Sequence, residues 1–460
     1  MKVGYADADI TPKVGITLSG FASRCDQESQ GIADALHLRA LVLEDEGDPA
    51  LVISFELLAL GPELTELLHV VLDDCVDLPI PRERRLFCCI HTHSAPATIT
   101  LHGCGIPNMA YWNLICESAR QAAVTAFRGR VPAELRTASV NLPNASYNRR
   151  QRLDDGRTVM VHHAAESDFD SGVVLEEMKL FQWVDETGRA IAGMAHWAAH
   201  PVTVGELRVT ADYPGELCRR LVKRFQCPFM FLQGAAGDIN VPFHQMSYGE
   251  MLHNVDLMEP AFDGVRWSDS VSVEPFRFAT STVQIAYGAL PSRESISAFM
   301  KGMWQIAETG SGASAQEEAL NNILNVEPGE EAPLRLKRHT AWALCQWGKS
   351  TLSRMESGVI PTQGVALSVI RLGSLLFCGI AVEPFAQTAI DLQEALPEYQ
   401  VLILGYAAPL AGYLPTRQAM EDGGFEVQYS YRFFGHPATF APDSERKVRE
   451  ALMSMIRQMN

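Results

Sequence analysis

Six short apolar runs rich in strand-forming residues, at 38–44, 50–57, 85–91, 177–184, 190–197 and 228–233, punctuate the first half of the chain. Between them, 63–75, 110–128 and 214–226 carry apolar residues at helical spacing. Strand-length runs alternating with amphipathic segments predict an α/β fold. From about 245 to 355 the texture turns helical, interrupted by the polar segment 308–314 and by Glu327-Pro328-Gly329-Glu330-Glu331. Strand texture returns at 364–371, 374–382 and 400–405, and an amphipathic helix closes the chain after Ala441-Pro442-Asp443. The expected fold is therefore α/β, a mixed β-sheet core covered by helices, with a helical excursion in the middle of the chain. The strands on either side of the excursion are expected to complete one sheet within a single domain, 1–460. In such folds functional residues gather where strands end.

Composition narrows the function classes. A chain of 460 residues, 47% hydrophobic, can bury a large core. Its formal net charge of −17 disfavours nucleic acid and anionic membrane surfaces, which attract concentrated positive charge. The apolar runs 50–61, broken by Glu56, and 374–382 are too short to span a bilayer, so no integral membrane segment is expected. Met1-Lys2-Val3-Gly4-Tyr5 leads straight into strand-like sequence without a secretory apolar core, and the expected location is cytoplasmic. The ten cysteines form no Cys-x-x-Cys pair, and Cys88, Cys89 and Cys378 sit inside apolar runs. They read as reduced core residues.

The chemistry concentrates at predicted strand ends. His91-Thr92-His93-Ser94 follows the apolar run Leu86-Phe87-Cys88-Cys89-Ile90. In an extended segment residues i and i+2 point to one side, so both imidazoles can face one cavity. The pair admits two readings: a metal or catalytic site, or two rings bonded to backbone. In His196-Trp197-Ala198-Ala199-His200-Pro201 the proline holds His200 out of helix geometry, which makes His200 the ligand candidate and His196 a structural residue. Asp212, in Thr210-Ala211-Asp212-Tyr213-Pro214-Gly215, either caps a helix or orients a ligand imidazole. The glycine-rich stretch Gln233-Gly234-Ala235-Ala236-Gly237-Asp238-Ile239-Asn240 superficially resembles a phosphate cradle. It lacks the Lys-Ser/Thr pair, and Asp238 would repel phosphate, so it reads as a tight turn bringing backbone close to a site. Glu383-Pro384, Gly405-Tyr406 and Gly412-Tyr413 add a carboxylate and phenol chemistry at later strand ends.

The order of these motifs is itself informative. Asp9-Ile10-Thr11-Pro12, Leu18-Ser19-Gly20-Phe21, His91-Thr92-His93-Ser94, Asn148-Arg149, His200-Pro201, Ala211-Asp212-Tyr213-Pro214-Gly215, Gln233 to Asn240, Glu383-Pro384 and Gly412-Tyr413 succeed one another along the chain. In this the sequence resembles the catalytic domain of the neutral, non-lysosomal ceramidase family, zinc amidases that cleave N-acyl-sphingosine. The resemblance implies one zinc per chain held by His91, His200, Glu383 and Tyr413, with His93 and Arg149 stabilising an oxyanion. For Arg149 the alternative is a surface ion pair, since Arg150 and Arg152 stand beside it.

Two departures bear on substrate and rate. Where the family has a second active-site tyrosine, twelve residues past the tyrosine ligand, this chain has Phe425; Tyr429 and Tyr431 are candidate substitutes. Secreted ceramidases also carry a signal peptide and a C-terminal β-sandwich domain, neither of which is visible in this sequence. The expected function is a zinc-dependent hydrolase of a linear amide. Its partner would be a small N-acylated molecule, including compounds more polar than ceramide such as an acylated amino sugar. The alternatives are a metal-containing binding or regulatory protein, in which Phe425 marks lost catalysis, and an esterase or lactonase using the same zinc site. Of the remaining groups, His436 is a candidate general acid, and Glu56 either orients a metal ligand from behind or is a satisfied strand-end carboxylate. His102, His162, His163 and His253 read as loop or exposed residues.

Overall fold

The same short plan, an antiparallel pair followed by a helical crossover to a parallel strand, is used three times. In the computed structural model, which describes residues 1–161, 172–326, 330–358 and 362–459, the first sheet contains β1 (Lys2–Asp9), β2 (His37–Asp45) and β3 (Asp48–Phe55). From β3 the chain crosses through α1 (Pro62–Asp73) to β4 (Arg85–Cys89), which lies parallel to β3. The strand order is β4-β3-β2-β1, with Val131–Pro132 at the far edge of β1. Proline at the first helical position starts α1, where a missing N–H costs nothing. After β4 comes α2 (Met109–Arg128), whose N-cap Asn108 accepts from the Tyr111 amide at 3.1 Å.

The second sheet is built from β5 (Glu134–Asn141), β6 (Glu177–Val184) and β7 (Ala190–Trp197). The chain crosses through α3 (Asp212–Phe225) to β8 (Phe229–Gln233), parallel to β7. Next are α4 (Tyr248–Met258), β9 (Phe276–Ile285), α5 (Arg293–Thr309), α6 (Ser314–Leu324) and α7 (Leu334–Glu356). The third sheet pairs β9 with β10 (Gln363–Leu372) and β10 with β11 (Leu375–Ile380). It then crosses through α8 (Ala386–Ala395) to β12 (Gln400–Leu404), parallel to β11. The short α9 (Arg417–Asp422) and α10 (Phe425–Gln428) precede the terminal α11 (Ser444–Gln458).

The α/β reading stands, and most predicted runs fall within a few residues of the observed elements. Two particulars differ. The strands form three main sheets rather than one, because each crossover unit closes its own hydrogen-bond ladder. The middle of the chain is helical except for β9, whose Thr280-Ser281-Thr282 centre is exposed on a sheet edge and shows no apolar alternation. His162, His163 and Glu327–Gly329 lie outside the described residues. All ten cysteines are free, and eight of them are buried, in line with a reduced core. Among the described residues no helix is long and apolar enough to cross a membrane.

The sheets are locked to one another near their carboxyl ends. Ser54 Oγ on β3 donates to the Phe231 carbonyl on β8 at 2.6 Å. The Gly405 amide, past β12, donates to the Gln233 carbonyl at 3.1 Å. At the end of β3, Glu56 is buried against Arg39 at 2.5 Å and accepts from the His37 amide at 2.6 Å. It is a satisfied strand-end carboxylate, not a partner of the imidazoles that follow β4.

His436 is equally committed to structure. Its Nε2 lies 2.5 Å from the Ala411 carbonyl, its Nδ1 3.0 Å from the Tyr287 hydroxyl, and its own carbonyl accepts from the Trp347 indole at 2.7 Å. Both ring nitrogens are used, which removes it as a general acid. Burial pushes its pKa down to about 4. A histidine whose folded pKa lies below its unfolded value holds fewer protons in the fold, so its contribution is complete above the unfolded value near 6.5 and is lost as pH falls toward 4. Urea unfolding between pH 7 and 4 is expected to show a loss on the order of 3 kcal/mol from this group across that window. His436→Gln should lower stability at pH 7 and flatten that part of the acid slope; an unchanged slope would contradict the assignment.

Candidate active site

Each of the three sheets delivers a histidine or carboxylate from the end of a strand in its parallel pair. His91 follows β4, His200 follows β7 and Glu383 follows β11. Gln233, wholly buried at the end of β8, ties the first two together: its amide nitrogen donates to the carbonyls of Ile90 at 3.1 Å and Ala199 at 2.7 Å. Those are the residues immediately before His91 and His200. Glu383 is paired in parallel register with Tyr413, and its amide donates to the Gly412 carbonyl at 2.9 Å.

The two imidazoles meet the carboxylate through one oxygen. His91 Nε2 lies 3.3 Å and His200 Nε2 3.2 Å from Glu383 Oε2. Their other nitrogens are occupied: His91 Nδ1 lies 2.8 Å from the Leu58 carbonyl and His200 Nδ1 2.5 Å from the Ala236 carbonyl. A carbonyl only accepts, so each Nδ1 must carry the proton, and in a neutral ring Nε2 is then a bare lone pair. Burial pushes the His200 pKa down to about 4, in favour of that neutral ring. Burial also opposes ionisation of Glu383, and its carboxyl is held below the ordinary range only by positive charge on the imidazole side, carried by the rings or by a cation between them. Two lone pairs facing one carboxylate oxygen repel one another unless a positive charge lies among them. Ligands ~2.0–2.1 Å from a tetrahedral zinc are about 3.3–3.4 Å apart, which is close to the separations seen here. The donor set fits a metal ion.

His93 completes a group of three imidazoles. Suitable nitrogen atoms of His91, His93 and His200 all lie within 4.8 Å of one another. The His93 ring is 5.0 Å from that of His91 and 5.8 Å from that of His200. Both His93 nitrogens are sealed from solvent and have no partner among the described residues, while burial and the neighbouring imidazoles hold its pKa well down. A buried polar ring with nothing to bond is costly unless a ligand meets it.

His93 is held from behind. Phe21 packs on its ring at 4.8 Å, and Gly20, with φ +99°, lies so close that a β-carbon there would sit 2.5 Å from Nδ1. Arg24, buried beneath this loop, donates to the His93 carbonyl, to Ser94 Oγ at 2.8 Å and to the carbonyls of Val204 and Glu206 at 3.0 and 3.1 Å. Asp212 serves the same loop from the other side, accepting from the amides of Thr203 at 3.0 Å and Val204 at 3.2 Å. It therefore orients backbone, not an imidazole.

Arg149 is not at the surface. Its buried guanidinium donates to Tyr413 Oη at 3.1 Å, to the Gly237 carbonyl at 2.9 Å and to Glu426 Oε1 at 2.9 Å. Arg150 takes the other oxygen of Glu426 at 2.5 Å. The glycine-rich turn packs as expected: a β-carbon on Gly237 would lie 2.7 Å from the Glu383 carbonyl oxygen. Tyr413 is flanked edge-on by Phe425 at 6.4 Å and Phe434 at 6.1 Å, so an apolar wall borders its ring. Tyr431 packs on Trp347 at 5.9 Å and lies under the Arg432 guanidinium, 4.4 Å from its ring centre. His196 is structural as expected, its Nε2 lying 2.7 Å from the Ile403 carbonyl.

Arg24, Gln233 and Glu426 stand in or beside motifs in the sequence, but their partners are backbone carbonyls or residues far along the chain. Tyr406, which the sequence marks only as a phenol at a strand end, also lies beside the imidazoles. Its ring lies 4.1 Å from that of His91, tilted by 32°, and its backbone is left-handed at φ +58°, a conformation that a bulky residue holds only where its surroundings impose it. Its only sequence signal is the Gly405-Tyr406 step after an apolar run.

No protein-family model and no curated protein sequence matches the chain. Solved structures do. Neutral ceramidase from Pseudomonas aeruginosa superposes with a TM-score of 0.69 at 15% identity, covering 100% of this chain and 74% of that one. A ceramidase complexed with C2 gives a TM-score of 0.68 at 14% identity, covering 100% of this chain and 75% of that one. From its first strand to its last helix, the chain has the fold of these ceramidase structures.

Proposed function

We propose that the protein is a zinc-dependent hydrolase of linear amides, acting on a small N-acylated molecule. The observation that carries this reading is the approach of Glu383 Oε2 to two imidazole nitrogens, at 3.2 and 3.3 Å, whose protons are already committed elsewhere. His91, His200 and Glu383 would hold the ion, joined by Tyr413. A zinc ion there supplies Lewis-acid chemistry: it acidifies water and polarises an amide carbonyl.

The chain's own residues supply the rest. Neutral His93, with both nitrogens unpartnered, can donate a hydrogen bond to the oxygen on which charge develops as the carbonyl is attacked. Arg149, fixed by Glu426 and Gly237, places a permanent positive charge beside the Tyr413 oxygen and the same developing anion. Such preset donors favour the transition state over the substrate. Phe425 and Phe434 offer an apolar surface for an acyl or alkyl group, and Phe425 can donate nothing to an oxyanion. The fold likeness to ceramidase structures supports the amide assignment over other hydrolase chemistry.

Elemental analysis should find about one zinc per chain in the wild type, with the metal lost in His91→Ala, His200→Ala and Glu383→Ala. No transition metal in wild type after zinc is offered would end the metal reading, and activity on esters alone across an N-acyl amide panel would end the amidase reading. Arg149→Met should retain zinc and lose about 100- to 1,000-fold in kcat. Gly20→Ala should keep zinc bound through His91 and His200, yet cut kcat at least ~10-fold by displacing the His93 donor; full activity in that variant would remove His93 from the mechanism.

A further inference from the structure

Tyr406 is built into the junction of two sheets. Its amide donates to the Val382 carbonyl at 2.9 Å, and its carbonyl accepts from the Cys89 amide at 3.1 Å. Val382 immediately precedes Glu383, and Cys89 lies two residues before His91. The left-handed backbone at φ +58° is thus pinned between the strand end that carries the carboxylate and the one that carries the first imidazole. The side chain packs on the His91 ring at 4.1 Å and lies 5.9 Å from that of His200.

Its hydroxyl is buried and has no hydrogen-bond partner among the described residues. Packing alone would be served by phenylalanine without burying an unsatisfied O–H. Burial pushes the Tyr406 pKa well up, and the nearby carboxylate of Glu383 adds to the effect. Glu383 meets both imidazoles through Oε2, which leaves Oε1 to be oriented by some other group. Carboxylates that bind metals are commonly held by a hydrogen bond from the surrounding shell.

We propose that Tyr406 is a positioning residue for the metal site, its hydroxyl donating to Glu383 Oε1 when an ion is held by Oε2 and the two imidazoles. The inference rests on the metal reading given above. The hydroxyl keeps its proton throughout, and no bond to substrate is formed or broken. Tyr406 would act in two ways at once, its ring setting the plane of His91 and its O–H setting the rotamer of Glu383.

The test is zinc affinity by chelator competition, together with the visible spectrum of the cobalt(II)-loaded protein, in wild type and Tyr406→Phe. The variant should melt as wild type does, bind zinc about ten-fold more weakly, and show shifted cobalt bands. Wild-type affinity with an unchanged spectrum would overturn the inference while leaving the metal site intact. A wild type that takes up neither ion would overturn the metal reading and this inference with it. Should Tyr406→Phe fail to fold, a crystal structure of the zinc-loaded wild type decides: the Tyr406 hydroxyl is expected within hydrogen-bond distance of Glu383 Oε1, and a hydroxyl bonded elsewhere or left unpartnered would overturn the proposal.

Discussion

An ionised carboxylate among imidazole lone pairs is the constraint around which this molecule is arranged. Glu383 Oε2 sits 3.2 and 3.3 Å from two ring nitrogens whose opposite edges are fixed by the carbonyls of Ala236 and Leu58. Those carbonyls belong to loops, so the tautomer of each histidine is dictated by backbone that cannot change its role. The rings cannot relieve the conflict by turning over, because His91 is packed against Tyr406 and His200 is wholly buried. A bound cation would settle the electrostatics, and the surrounding architecture brings these groups together.

That architecture explains why one crossover plan recurs. A parallel pair sends both of its carboxyl ends to the same side of a sheet, and the loops there are free to carry chemistry. With three sheets packed so that these ends converge, residues distant in sequence become neighbours without any long excursion of the chain. The two buried cations nearby are handled differently. Arg149 is neutralised by Glu426 and remains beside the Tyr413 hydroxyl. Arg24 has carbonyls and a serine for partners, so its charge organises the backbone behind His93 rather than pairing with a carboxylate.

Much of this was legible in the sequence, and the limits have physical causes. His91, His200, Glu383 and Tyr413 each stand just after an apolar run or at a glycine step, so strand-end reasoning finds them one at a time. Their convergence is a property of how three sheets pack, which no local pattern encodes; the resemblance to ceramidases supplied the grouping. Glu426 was invisible because its partner Arg149 lies 277 residues away. Arg24 and Gln233 act on backbone carbonyls, whose positions leave no mark on residue identity. In the sequence Tyr406 is another apolar-run terminus, since only its left-handed backbone and its unpartnered hydroxyl distinguish it. Strand β9 escaped because an exposed edge strand need not alternate, and its polar centre reads as a loop.

The distribution of donors, one or more from each sheet, has a consequence for the chain as a whole. An ion bound at their junction cross-links three separately laddered sheets at a single point, and it is lost as soon as any one of them moves. Binding free energy then becomes shared cohesion: by mass action, ligand that favours only the assembled state stabilises every contact between the sheets in proportion to RT ln(1 + [L]/Kd). Metal supply in the surrounding medium would set how firmly the sheets behave as one cooperative body, independently of any turnover at the site.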